Sequence, residues 1–353
     1  MRRSIAMIAS ASLLLVGSCR VADAPKEKGS TASYFDNSKH PDAWSGGARK
    51  ITISTPKGPH QVWIKRVGNN PKLKLLLLTG GPGFAHSYLE VMDSYLPAEG
   101  VEYYHYDQLE TGESDRPDDP DLWTLPRYVD EVDQVRRALG LDRSNFVLFG
   151  HSWGGLLAIE YALTHPGQLK GMIVSSMMAS ASAYNEYATQ VLMPQMDQDA
   201  LTEIQRLETS GQTSDPRFDE LIMKHFLVDH LLRLPPSEWP EPVLRSVSHM
   251  NGAIYNLLQG PSELGISGTM VDWDRSTDLA KITVPTLMIG ATHDTMDPAH
   301  LEWMAAQLPN GRYHHCPNGS HFSFIDDQES YFAGLTDFLH QLDAPTAVAS
   351  KGS

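Results

Sequence analysis

Phe146-Val147-Leu148-Phe149-Gly150-His151-Ser152-Trp153-Gly154-Gly155 is the stretch whose reading decides the fold. Four consecutive apolar residues describe a short strand buried on both faces, and an amphipathic helical pattern begins at Gly154. Ser152 stands between them with glycine on either side. This is the form of a nucleophile elbow, a strained strand-to-helix turn that exposes a serine hydroxyl. The helix N-terminus favours developing negative charge, so the same turn offers the Trp153 backbone N–H as an oxyanion donor.

A serine nucleophile needs a base, and the base an orienting acid; behind an elbow of this kind they follow in the order acid, then histidine. The strand pattern Val284–Ile289 runs into Gly290-Ala291-Thr292-His293-Asp294, which puts Asp294 on a loop at the strand's C-terminal edge. Asp297 is the rival acid, but Pro298 follows it directly, so it reads as the cap of the next helix. Pro317-Asn318-Gly319-Ser320-His321 follows the next strand, and His321 is the expected base. His314 and His315 lie inside that strand and His293 adjoins the acid; they read as packing or surface histidines. The loop Thr79-Gly80-Gly81-Pro82-Gly83 follows the strand Leu73–Leu78. Its glycines let the backbone approach an oxyanion without a Cβ in the way, which makes the Gly81 N–H the expected second donor.

The pattern around these residues alternates. Ile51–Thr55 and Gln61–Val67 read as an antiparallel hairpin, and Leu73–Leu78, Val101–Asp107, Asn145–Phe149, Leu169–Ser175, Thr286–Ile289 and Arg312–His315 as short strands. Helical patterns at Ser87–Leu96, Arg127–Leu139, Gly154–Leu163, Ala299–Gln307 and Glu329–Leu342 separate them. The expected class is α/β, with a mostly parallel sheet and right-handed crossovers. Residues 179–281 interrupt the alternation with helical sequence. They are expected to form a cap inserted between two core segments, 48–178 and 282–343.

The ends differ in kind from this core. Arg2 and Arg3, an apolar run from Ile5 to Val16 and then Val16-Gly17-Ser18-Cys19 describe an export signal over 1–18, too short to persist as a membrane span. The ending resembles a bacterial lipobox, in which Cys19 receives lipid and becomes the mature N-terminus. Residues 19–47 read as a flexible tether and 344–353 as a disordered tail. Cys316 is then the remaining thiol, and no disulfide staples the fold. The expected place is the bacterial cell envelope, with membrane contact through the lipid alone.

Across 353 residues, 28 Lys and Arg against 43 Asp and Glu give a net charge of −15, which argues against a nucleic-acid partner. Hydrophobic residues at 41% suffice for a large core, so global disorder is excluded. The histidines lack a ligand spacing and two cysteines are too few for a zinc cluster. The glycine loop lacks the Lys-Ser/Thr ending of a phosphate loop. The expectation is an enzyme without metal or cofactor.

Taken together, Thr79–Gly83, Asp107-Gln108-Leu109 with Gly112, Ser114 and Pro117, Gly150–Gly155, Gln259-Gly260-Pro261-Ser262-Glu263 and Trp273-Asp274 resemble the proline iminopeptidase group of α/β-hydrolases. The likeness spans about Lys50 to Leu342. It implies an α/β-hydrolase fold with a helical cap and a Ser-His-Asp site that removes an N-terminal residue, often proline, from short peptides or amino-acid amides. It also implies cap carboxylates that pair with the substrate ammonium. Glu263 takes that role by its motif, with Asp229 expected as a second and Glu110 or Glu238 as substitutes. Tyr184, Tyr187, Trp239 and Tyr255 are candidates for walling a proline ring or for the cap's own core. Two positions depart from the family: Thr79 where histidine is usual, and Glu110 where glycine is usual. The second puts a carboxylate near the expected rim, where it would alter which side chain or leaving group fits. An esterase or arylamidase acting on small xenobiotic amides or esters is the alternative within enzymes. A binding protein on a hydrolase scaffold is the alternative outside them.

Overall fold

The computed structural model describes residues 31–42 and 45–344. Eight strands form one sheet: β1 Ala48–Thr55, β2 Gly58–Val67, β3 Lys74–Leu78, β4 Glu102–Asp107, β5 Phe146–His151, β6 Gly171–Ser175, β7 Thr286–Ala291 and β8 Gly311–Cys316. Their spatial order is β1-β2-β4-β3-β5-β6-β7-β8. The β1–β2 hairpin and its edge on β4 are antiparallel, and every later pairing is parallel.

Strands β4 to β7 are buried along their whole length, so β5 to β7 read as mostly apolar runs rather than alternating ones, whereas β4 buries Glu102, His105 and Asp107 among its tyrosines. Helices Leu125–Ala138, Trp153–Thr164 and Pro298–Gln307 cover one face over a core that includes Leu148, Val174 and Met288. The tight helical segment His86–Ser94 and the helix Gln328–Asp343 cover the other, over Leu77, Phe149 and Ile289. The expected helix at Ser87–Leu96 thus has 3₁₀ geometry. All parallel strands point the same way, so the loops after β3, β5, β7 and β8 meet at one sheet edge, where ligands bind in open α/β sheets.

Between β6 and β7 lies the helical insert, with main helices Ala181–Tyr187, Gln198–Thr209, Pro216–Ile222, Glu241–Ser248 and Gly252–Leu258. Its two ends are stitched together: the Ala181 N–H donates to Trp273 O at 2.9 Å and the Arg275 N–H to Ala179 O at 2.8 Å. Glu160, on the core helix behind the elbow, accepts from Trp273 Nε1 at 2.7 Å and from Arg275 Nε at 2.6 Å. The Trp-Asp-Arg run is therefore the neck that fixes the cap to the core. A separate apolar cluster that includes Leu192, Ile204, Phe218 and Phe226 stabilises the cap itself.

The expected tether is corrected for its described part. Residues 31–42 are fastened to the domain: the buried Tyr34 hydroxyl donates to Val101 O at 2.7 Å, and Asp42 pairs with Arg66 at 3.1 Å with both side chains about 5% exposed or less. Low sequence hydrophobicity concealed a docking that rests on one aromatic and one buried ion pair. The signal, Cys19 and residues 345–353 lie outside the described residues.

Candidate active site

Ser152 closes β5 with φ 55° and ψ −124°, a backbone conformation that costs a non-glycine residue free energy and aims its side chain out of the turn. The tight packing of the elbow demands its glycines. A Cβ on Gly150 would overlap the Gly154 carbonyl, and one on Gly154 would overlap the Leu78 carbonyl. Gly80 abuts the nucleophile, since a Cβ there would stand 3.1 Å from that of Ser152.

Asp294 and His321 arrive from the loops after β7 and β8 and are buried at 0% and 2% exposure. His321 Nδ1 lies 2.7 Å from Asp294 Oδ1 and 3.0 Å from Thr295 Oγ1, so Nδ1 carries the proton and Nε2 is left as a base. Asp294 Oδ1 also accepts from the Met296 N–H at 3.0 Å, while Oδ2 is buried without a partner. Burial disfavours the charged His321 ring, but the Asp294 charge, its hydrogen bond and the Glu263 charge outweigh this, and the pKa lies above the usual histidine value. Asp297 caps the helix Pro298–Gln307, its Oδ1 accepting from the Ala299 N–H at 2.9 Å. His314 bonds Ser330 O and His315 bonds Thr292, both away from Ser152.

Ser152 and His321 line one cavity of about 350 Å³, together with Gly80, Gly81, Phe84, Phe218, Trp239, Tyr255 and Glu263. A narrower recess on the other side of Ser152 is lined by Gly81, Trp153, Leu156, Met177, Ile266, Met270 and Met296, and Glu263 and Tyr184 border it too. Both expected oxyanion donors, Gly81 and Trp153, thus flank the serine. Thr79, the residue in the place of a histidine, donates to Phe84 O at 3.1 Å and receives Gln108 Nε2 at 3.3 Å. The same Gln108 accepts from Trp153 Nε1 at 3.1 Å, tying the glycine loop to the elbow.

Glu263 reaches the cavity as the family motif implies, and two tyrosines hold it. The Tyr255 hydroxyl donates to Oε1 at 2.7 Å, and the Tyr184 hydroxyl lies 2.5 Å from the Glu263 carbonyl oxygen and 3.3 Å from Oε2. Burial first, and the Glu263 charge second, push both phenols well above their usual range, so both stay donors. Sequence reading gave these tyrosines to walls or core; a buried phenol next to a half-buried carboxylate is the signal it lacked. Tyr187 packs at the edge of the cap cluster instead.

Three expected carboxylates are corrected. Asp229 sits in the turn Val228–His230 with its side chain exposed and does not line the cavity, because that turn presents its backbone, not its acid, to the site. From that part of the cap Asp219 reaches the cavity instead. Glu238 is exposed in the turn Pro236–Glu238 and also misses it. Glu110 has φ 77°, and this left-handed turn folds its side chain inward to 1% exposure, where Oε1 accepts from Trp123 Nε1 and the Asp119 N–H at 3.3 Å. The rim therefore carries no Glu110 charge.

The cap is clasped to these loops by main-chain bonds. His321 N–H donates to His230 O and Phe322 N–H to Leu231 O, both at 2.9 Å, while His230 Nδ1 lies 3.1 Å from His293 O. On the opposite side the Asn251 N–H donates to Gly83 O at 2.9 Å. Among the described residues no cluster of His, Cys, Asp or Glu is arranged to hold a metal.

A family description for the α/β hydrolase fold matches residues 75–328. Proline iminopeptidase from Chitinophaga pinensis is 49% identical over 84% of this chain and 99% of its own length. The Flavobacterium johnsoniae proline iminopeptidase is also 49% identical, over 83% and 98%. Among solved structures, VinJ superimposes with a TM-score of 0.77 at 29% identity, over 83% of this chain and 99% of that one. The Mycobacterium smegmatis proline iminopeptidase gives 0.73 at 30% identity, over 84% and 99%.

Proposed function

We infer the reaction from kinship and site together: this chain belongs to the proline iminopeptidase family of α/β-hydrolases, and it is a serine aminopeptidase that cleaves after an N-terminal proline. In the proposed mechanism Ser152 Oγ attacks the carbonyl carbon of that residue while His321 Nε2 takes its proton. Asp294 holds the ring by Nδ1, and its unpartnered Oδ2 adds negative charge where the imidazolium forms. The Gly81 and Trp153 N–H groups receive the oxyanion. As the C–N bond breaks, His321 returns the proton to the leaving amine. Water, activated by the same ring, then hydrolyses the prolyl ester on Ser152.

The observation that carries this reading is the Glu263 carboxylate, held by two phenols in the cavity that contains Ser152 and His321. A proline N-terminus is a secondary ammonium; buried, it needs a charged partner, and Glu263 supplies one. An N-blocked substrate leaves that carboxylate unsatisfied. Comparing prolyl and N-acetylprolyl arylamides tests the reading: the free amine is expected to react far faster, and equal rates would overturn it in favour of a general esterase or arylamidase.

From Val16-Gly17-Ser18-Cys19 we also propose export, cleavage before Cys19 and lipid attachment to its thiol. Small peptides or amino-acid amides in the cell envelope are then the substrates.

A further inference from the structure

Three buried hydrogen bonds run beneath the nucleophile, and their directions are forced. The Gly80 N–H can only donate, and it reaches the Tyr88 oxygen at 2.6 Å. The His321 carbonyl can only accept, so His151 Nε2, 2.9 Å away, carries a proton. His151 is neutral, since burial and then the nearby His321 hold its pKa well below the usual value. Its Nδ1 is therefore an acceptor, and the Tyr88 hydroxyl, at 3.1 Å, donates to it. Tyr88 and His151 are 1% exposed, and Phe322 and Phe324 pack against both rings.

We propose that Tyr88 and His151 are positioning residues for the reaction, a relay that fixes the oxyanion loop and the base loop in one frame. The proposal rests on the roles given above to Gly81, Ser152 and His321. Gly80 precedes the oxyanion donor, so holding its amide anchors the peptide plane next to the one that carries the Gly81 N–H. At the other end the relay grips the backbone of the base itself. His151 neighbours Ser152, so the chain spans the distance between the two groups that must act together on one carbonyl. Catalysis of this kind depends on placement to within a fraction of an ångström. Among the described residues Ser176 Oγ, at 3.4 Å, is the other side-chain donor on the His321 carbonyl and is too distant to replace His151.

The test uses Tyr88→Phe, His151→Phe, the double variant and His151→Gln, whose amide retains a donor toward the His321 carbonyl. Each is measured for kcat and KM on a prolyl arylamide and for the rate at which a fluorophosphonate labels Ser152. Each Phe variant is expected to lose roughly tenfold or more in kcat and labelling rate with KM within about twofold, and the double variant about as much as either single, because the residues act as a unit. His151→Gln is expected to recover part of the loss. Rates within about twofold of the parent, losses confined to KM, or losses that multiply in the double variant would overturn the relay. If His151→Phe does not fold, the isosteric Tyr88→Phe decides by its labelling rate. Labelling does not depend on the natural substrate: a parent that ignores prolyl arylamides but is labelled faster than its variants would overturn the aminopeptidase reading and keep the relay.

Discussion

The Tyr255 hydroxyl stands 2.7 Å from Glu263 Oε1, and the two residues are joined across the mouth of the turn that carries the Gln-Gly-Pro-Ser-Glu motif. A carboxylate held in this way keeps its rotamer without substrate, so little ordering remains when an ammonium arrives.

Glu263→Gln keeps the shape and removes a charge-assisted contact of about 1.5–3 kcal/mol. The expected loss in kcat/KM is roughly 10- to 150-fold for free-amine substrates. N-acetylated amides, which never make the contact, are expected to hold level or improve. Equal losses on both substrate types, measured at one pH below the amine's pKa, would make the residue structural.

Ser152→Ala is expected to fold normally and to lose roughly 10³-fold or more in kcat, leaving only binding and the oxyanion donors. Circular dichroism and turnover read the two parts separately. Near-normal turnover would remove Ser152 from the mechanism.

The pH profile follows from the raised pKa of His321. Only the neutral ring accepts the serine proton, so kcat/KM is expected to fall with acid through a value above the ordinary histidine pKa of about 6.5. Glu263 is one of the charges that raise it, and Glu263→Gln is expected to move the acid limb to lower pH. An N-blocked ester keeps substrate ionisation out of the profile. An unmoved limb would mean that the two groups are not electrostatically coupled.

Asp42→Ala is expected to cost about 3–5 kcal/mol in urea unfolding, because it leaves the Arg66 guanidinium buried and unpaired. A change below about 0.5 kcal/mol, the ordinary range for a surface substitution, would return residues 31–42 to the status of a tether.

Cys19→Ser is expected to release the protein from salt-washed membranes or to leave its precursor uncleaved, since stable attachment takes more than one acyl chain and a lipidated cysteine carries them. Equal membrane association of variant and parent would exclude the lipid.

Ser152 and Asp294 were expected where they lie because each follows an apolar strand and stands at a turn, whereas His321 follows the polar strand β8 and was reached by chain order. Strands β5 to β7 were legible because burial on both faces writes itself as a mostly apolar run. What escaped depends on partners far along the chain. Tyr184 meets a residue 79 positions away, and His151 one 170 positions away. Asp229 was expected as the second cap carboxylate because sequence does not say which way a short helical turn faces. Glu110 was placed at the rim because nothing in its neighbours foretells a left-handed backbone that folds it inward.

The His230 and Leu231 carbonyls that hold the backbone of the base loop also govern admission. A roof bonded to His321 and Phe322 cannot swing upward as a hatch without unseating the catalytic ring. These bonds favour entry by threading through the mouth over opening and engulfing. Such a mouth gauges its meals: a loose peptide end slips in, whereas the terminus of a folded neighbour, flush with its own surface, cannot. A site closed in this way selects by access, so folded proteins beside it are left uncut without an inhibitor to restrain it.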